Sequence, residues 1–312
     1  MTTIEMRGLT KRYGDITAVD DLELSVRDGE IFGFLGPNGA GKSTTIDMLL
    51  DFTRPTGGVV KVFGEEPRQN PREFRERIGV LPDTYGLYDR LSARQHIVFA
   101  AQMKRCDNDP EVLLERVGLL DDATMRVGGF SKGMRQRLAL AIALVGSPDL
   151  LILDEPSSGL DPNGAQMMRD IICTEREQGV TTFFSSHILG QVEAVCDRVG
   201  IMRDGNLLTV DTVDGLQAAS GSVSTLVFLV DRIPQCHSLA KLDGVTDVHC
   251  KDSTIRVECS DPNMKAAIIA SVEAADVAVQ DISIEDSTLE DIFAKYTKNC
   301  DRSEEYKREI RA

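Results

Sequence analysis

The segment Gly36-Pro37-Asn38-Gly39-Ala40-Gly41-Lys42-Ser43, followed by Thr44, joins a short apolar run, Ile31 to Leu35, to a stretch of helical pattern. Glycines let successive backbone N–H groups curl around an anion, and a helix start adds its positive dipole end. Lys42 adds a full charge where β- and γ-phosphates would lie, and Ser43 offers a hydroxyl to Mg2+. A second chemical signal closes another apolar run: Leu150 to Leu153 leads directly into Asp154 and Glu155. Two adjacent carboxylates repel each other. At the carboxyl edge of a sheet, where ligands bind in open α/β folds, they predict a division of labour: Asp154 for Mg2+, Glu155 to polarise an attacking water. An isolated Asp-Glu after a strand reads first as a helix cap; beside a phosphate loop it reads as chemistry.

These groups need a scaffold, and residues 1 to about 220 supply the pattern of one. Short apolar runs, Ile31 to Leu35, Ile78 to Leu81, Leu150 to Leu153 and Val180 to Phe184, alternate with helical stretches. Near-continuous apolar strands are buried on both faces, which predicts a parallel or mixed sheet flanked by helices. Between about 84 and 148 the strand signals stop and helical pieces take over at Ala93 to Lys104, Pro110 to Val117 and Lys132 to Val145. That block reads as a helical subdomain inserted into the sheet domain. Ser131 and Gly133 stand at the start of its last helix, a second anion site with a hydroxyl donor and no Cβ to block approach.

Taken in chain order, the motifs resemble those of the ATP-binding cassette (ABC) ATPases. Phe130-Ser-Lys-Gly-Met-Arg-Gln-Arg137 resembles the family's signature segment, Ser158-Gly-Leu-Asp161 its D-loop, Ser185-Ser-His187 its switch histidine, and Tyr13 in Lys11-Arg-Tyr-Gly14 the aromatic that stacks on adenine. The match covers about residues 3 to 220. It implies a P-loop NTPase sheet with an inserted helical subdomain. It also implies that Gly36 to Thr44 and Tyr13 hold ATP, that Ser43 and Asp154 hold Mg2+, and that Glu155 and His187 serve hydrolysis. Ser131, Gly133 and Asp161 would then close over the nucleotide of a second, head-to-tail copy. The expected function is the ATPase subunit that drives a separate integral membrane permease, lying in the cytoplasm on the inner face of the membrane.

Two departures qualify the resemblance. The signature reads Ser-Lys-Gly-Met where Ser-Gly-Gly-Gln is commonest, a form similar to a branch of exporters with a separate ATPase subunit, including antibiotic-resistance, sodium-efflux and nitrous-oxide-reductase-maturation systems. Ser287-Thr-Leu-Glu-Asp-Ile-Phe293 resembles that branch's usual ending. Asp83 stands where the family has Gln and this branch often Glu; its expected role is catalytic coupling and Mg2+ contact, with a turn cap as the plainer alternative.

Composition narrows the function classes. Thirty-five basic residues against 50 acidic ones leave a net charge of -15, which argues against a nucleic-acid surface. A soluble ABC ATPase of translation or DNA repair, the alternative reading, also usually carries two cassettes or a long coiled coil. The longest apolar stretches are far shorter than the roughly 18 residues a membrane span requires, and Met1 to Arg7 lacks the pattern of a secretory signal. With no Trp, Arg outnumbering Lys roughly two to one, and this acidity, the chain suits high salt; an acidic mesophilic enzyme is the alternative.

Seven cysteines without a C-x-x-C pair predict reduced, mostly buried thiols. After the small polar stretch Gln217 to Ser224, read as a linker, the remainder alternates as βαββαβα. Strands are expected at 225–230, 245–249, 254–258 and 277–282, and helices at 234–241, 263–273 and 289–296. This predicts a small ferredoxin-like α+β accessory domain over 221–298 and a charged tail over 299–312. Cys236-His237 and His249-Cys250 invite a copper or zinc reading. Adjacent strand residues face opposite ways, so buried cysteines and surface histidines are the competing expectation.

Overall fold

A computed structural model describes residues 1–219, 224–232, 239, 242, 244–251, 253–259, 264–274 and 277–285. The chain divides into two compact units, Met1–Asp211 and Thr212–Ala312. In the first unit the strands are β1 (Thr2–Tyr13), β2 (Ile16–Arg27), β3 (Ile31–Leu35), β4 (Gly57–Val62), β5 (Ile78–Leu81), β6 (Leu150–Asp154), β7 (Thr181–Ser186), β8 (Arg198–Arg203) and β9 (Asn206–Thr212). The helices are α1 (Lys42–Leu49), α2 (Pro71–Arg77), α3 (Ala93–Lys104), α4 (Pro110–Arg116), α5 (Lys132–Ala143), α6 (Pro162–Glu177) and α7 (Leu189–Glu193).

Six strands form one sheet in the order β5-β6-β7-β3-β8-β9, and β5, β6, β7, β3 and β8 pair in parallel. Every residue of β3, β6 and β7 is buried, as expected of a sheet covered on both faces. The expectation of one parallel or mixed sheet leaves out a second one: β2-β1-β4 is antiparallel and separate. Its apolar residues Ile4, Met6, Leu22 and Val60 pack with Phe32, Phe34, Ile152 and Phe183 of the larger sheet in one core.

Three helices lie between β5 and β6, each with a local start signal. Ser92 and Gln95 form a reciprocal capping box on α3, Asp109 caps α4, and Ser131 caps α5 by accepting from the Met134 N–H. Asp161 caps α6, with Pro162 at the first helical position.

The second unit contains α8 (Val213–Ala219), β10 (Ser224–Val230), β11 (Val245–Lys251), β12 (Thr254–Cys259), α9 (Lys265–Glu273) and β13 (Val279–Glu285). Its four strands are antiparallel in the order β11-β12-β10-β13, over a core that includes Leu226, Phe228, Ile255, Val257, Ile268 and Val272. Residues 217–219 belong to α8 rather than to a linker. The helices expected at 234–241 (Leu239 aside) and 289–296, the segment Ser287 to Phe293 and the tail 299–312 lie outside the described residues.

The expectation for the cysteines needs correcting. Cys250 is disulfide-bonded. Of the free thiols described, only Cys259 is buried; Cys106 and Cys196 are half-buried and Cys173 is exposed. His249 and Cys250 do face opposite ways: His249 is exposed and pairs with Asp247 at 3.1 Å, while Cys250 packs against the sheet's core. Among the described residues no group of three His, Cys, Asp or Glu could hold a metal, and Cys236 and His237 lie outside them.

Candidate functional site

The loop between β3 and α1 is shaped by close approach. A Cβ on Gly36 would stand 2.4 Å from the Met202 carbonyl oxygen of β8. One on Gly41 would stand 2.4 Å from the Ala18 carbonyl of β2, and Gly41 also has φ +106°. Only glycine fits either position. Asn38 and Gly39 are exposed at the rim, Ala40 is buried, and Thr44 is half-buried on α1. Tyr13, half-exposed, stands at the end of the β1–β2 hairpin that carries Ala18, with the Lys11 ammonium 4.8 Å from its ring.

Lys42 is buried, and its ammonium donates to the Gly36 carbonyl at 2.7 Å and the Pro37 carbonyl at 3.3 Å. The same ammonium lies 3.8 Å from Glu155 Oε1, an ion-pair distance too long for a hydrogen bond. That oxygen is buried with no hydrogen-bond partner. The other carboxylate oxygen of Glu155 faces His187 Nδ1 at 2.7 Å. Glu155 itself has φ +51°, a left-handed conformation unfavourable for its side chain. Its N–H is turned back onto β7, 3.2 Å from both the carbonyl and the hydroxyl of Ser185.

Asp154 ends β6 opposite Ser185 in the parallel register. It accepts hydrogen bonds from the Ser185 hydroxyl and, at 3.3 Å, from the Ser43 hydroxyl. Burial pushes its pKa above the ordinary value; the two serine bonds oppose this, and the charges of Asp83 and Glu155 add to it. A buried carboxylate crowded by two others and joined to a serine hydroxyl is a hard-oxygen set suited to Mg2+. That ion is ordinarily held by one or two carboxylates plus phosphates rather than by a protein cage. Asp83 is exposed, and nothing among the described residues donates to its carboxylate, so it caps no turn.

The signature residues lie elsewhere on the unit. Ser131, Gly133, Gly159, Leu160 and Asp161 line an open groove of about 490 Å³. Asp161 accepts from the Gly164 N–H at 2.8 Å, and Ser131 from the Met134 N–H at 3.2 Å. Within one chain neither touches Lys42 or Glu155. Sequence reasoning missed Ser185, which donates to the Asp154 carboxylate and accepts from the Glu155 N–H, and Gln136, whose buried amide donates to the Pro156 carbonyl at 2.7 Å and ties α5 to the Glu155 turn. Two serines following Phe183 and Phe184 at the end of β7 were the available signal for the first.

A phosphate-type loop, an acidic strand end and a helical insertion on one sheet define a P-loop NTPase domain, and comparison with known proteins gives its family. Residues 19–158 match the ABC transporter family model. The bacitracin transport ATP-binding protein BcrA of Bacillus licheniformis is 44% identical over 219 residues, covering 69% of this chain and 72% of that protein. A fluoroquinolones export ATP-binding protein of Mycobacterium tuberculosis is 37% identical over 271 residues, 81% of this chain and 90% of its own. A solved ATP-binding subunit of an ABC transporter superposes with a TM-score of 0.66 at 29% identity, covering 70% of this chain and 94% of that one. The chain belongs to the ABC transporter family, as an ATP-binding subunit. Among the described residues, no helix is long and apolar enough to cross a membrane.

Proposed function

We propose that the chain hydrolyses MgATP as a head-to-tail dimer and drives a separate membrane permease from the cytoplasmic face, most simply as an exporter. The observation that carries this reading is the Lys42–Glu155–His187 cluster. A carboxylate oxygen with no hydrogen-bond partner, 3.8 Å from an ammonium in a phosphate-type loop, is a group held ready to take a proton from water. His187 orients the other oxygen. Lys42 and the loop N–H groups bind the phosphate chain, while Ser43 and Asp154, with Asp83 close by, would hold Mg2+. When bound, that ion neutralises phosphate charge.

Support for the dimer comes from Gly133. A Cβ there would meet only Leu160 Cδ2 at 3.7 Å, an ordinary contact. The chain itself therefore does not require glycine at 133, and a ligand approaching from outside would. Support for a permease comes from an apolar groove of about 440 Å³ whose lining includes Pro82, Tyr85, Tyr88, Phe99 and Met103. Tyr88, Phe99 and Met103 are substantially exposed, and the lining includes Pro82, the residue before Asp83. Export rests on the names of the relatives. The second unit, whose strand order is that of a ferredoxin-like sheet, is an accessory domain.

The test is phosphate release by the purified chain with MgATP, alongside calorimetry of Lys42→Ala. Turnover that vanishes together with nucleotide affinity in the variant supports the reading. Equal ATP affinity in the two proteins contradicts it.

A further inference from the structure

Between β5 and α3 the chain runs from Pro82 to Ser92, and its two ends are held very differently. At the far end the Asp89 carboxylate pairs with Arg135 at 2.8 Å, its carbonyl accepts from the Gly128 N–H, and the Leu91 carbonyl accepts from the Val127 N–H. Over residues 83–88, among the described residues, only one backbone N–H has a partner: that of Tyr88, whose acceptor is His96 Nε2 at 3.0 Å. His96 lies on α3 with 4% exposure, and its Nδ1 stands 2.8 Å from the Ser92 carbonyl.

These two contacts leave the ring a single state. A carbonyl can only accept, so Nδ1 carries a hydrogen; a backbone N–H can only donate, so Nε2 is bare. His96 is therefore the neutral Nδ1–H tautomer. The Tyr88 ring stacks over it at 6.1 Å and meets Phe99 edge-on, so the bond is shielded on the groove side.

We propose that His96 is a positioning residue for ATP turnover: its Nδ1–H tautomer tethers the Asp83–Tyr88 segment to α3 and so sets where the Asp83 carboxylate stands relative to Asp154. The inference rests on the reading of Asp83 as a group that serves turnover. It names a physical link between the apolar groove, which α3 and Tyr88 both line, and the charge that Asp83 projects onto Asp154. Through this hydrogen bond, motion of α3 reaches the Asp83–Tyr88 segment.

The experiment compares MgATP turnover by the full chain in wild type, His96→Phe, His96→Gln and Asp83→Ala, with the imidazole tautomer of the wild type read from nitrogen-15 shifts. Phenylalanine keeps the ring volume and removes both contacts. Glutamine offers an amide N–H and a carbonyl at a similar spacing. His96→Phe should lower kcat by about tenfold or more while KM stays within about threefold, since a displaced group costs rate rather than binding. His96→Gln should recover most of the loss, and the wild-type spectrum should show Nδ1–H. A structural role alone would lower thermal stability without splitting kcat from KM.

The outcomes separate the two layers of the reading. Loss in Asp83→Ala with none in His96→Phe overturns the tether and leaves the role of Asp83 standing. Undiminished turnover in Asp83→Ala overturns that role and this inference with it. An Nε2–H tautomer overturns the tether whatever the kinetics, including the case where His96→Phe does not fold.

Discussion

Replacing Gly41 by alanine tests whether the phosphate loop depends on close approach or only on glycine's backbone freedom. The added Cβ would lie 2.4 Å from the Ala18 carbonyl oxygen, a backbone atom with no rotamer to escape into. To reach even 3.0 Å the loop and β2 must part by at least 0.6 Å. Gly39→Ala is the control: its φ is +83°, but nothing lies within 4 Å of its Cβ. Both variants bear the strain of a positive φ, of order 1 to 3 kcal/mol. Only Gly41→Ala also moves the N–H groups that would face a phosphate, and each charge-assisted hydrogen bond lost is worth about 1.5 to 3 kcal/mol. At about 1.4 kcal/mol per tenfold, ATP affinity should fall roughly ten- to hundredfold further in Gly41→Ala than in Gly39→Ala. Calorimetric titration with MgATP, with thermal melts on both proteins, reads the difference. Equal affinities would refute the close-approach account of the loop.

If Ser131 acts across a dimer, mixing Ser131→Arg chains with Lys42→Ala chains should restore one nucleotide site per mixed dimer. Trapped nucleotide would show it, and mixed dimers without any would count against the arrangement. Lys104 donates to the Ile78 and Val145 carbonyls, each at 2.7 Å, so Lys104→Met should cost about 2 to 3 kcal/mol in chemical denaturation. Burial lowers the Lys104 pKa, so the folded state sheds its proton first. The wild-type advantage should therefore grow with pH in the alkaline range below the ordinary value of 10.5, and a shrinking advantage would contradict this. At a net charge of -15 the melting midpoint should rise between about 0.1 and 1 M potassium chloride as screening removes self-repulsion, and a steady fall would oppose that.

What was legible in the sequence was chemistry that is local along the chain. The phosphate-type loop, the Asp154–Glu155 step and the helix start at Ser131 each depend on residues a few positions apart, so their spacing carries the information. Contacts between distant residues left little trace. Ser185 reaches Asp154 across 31 positions and Gln136 reaches Pro156 across 20, and neither pair has a spacing rule to betray it. The antiparallel sheet was missed for a different reason. Register shifts interrupt the β1–β2 pairing at Met6 to Leu9 and again at Leu9 to Lys11, which breaks the two-residue alternation that marks a half-buried strand. His96 illustrates a third limit: a histidine on a helix gives no hint that its ring accepts the N–H of Tyr88 in the preceding loop.

Glu155, the carboxylate between Lys42 and His187, is the group on which the proposed hydrolysis depends. Single-turnover hydrolysis by Glu155→Gln, with ATP affinity measured on the same preparation, isolates its role because the amide keeps the shape and removes the proton acceptor. The expected result is affinity within about threefold of wild type, hydrolysis slower by about 10² to 10⁴, and a dimer that ATP now traps. Hydrolysis at near the wild-type rate would contradict the assignment of Glu155 as the base.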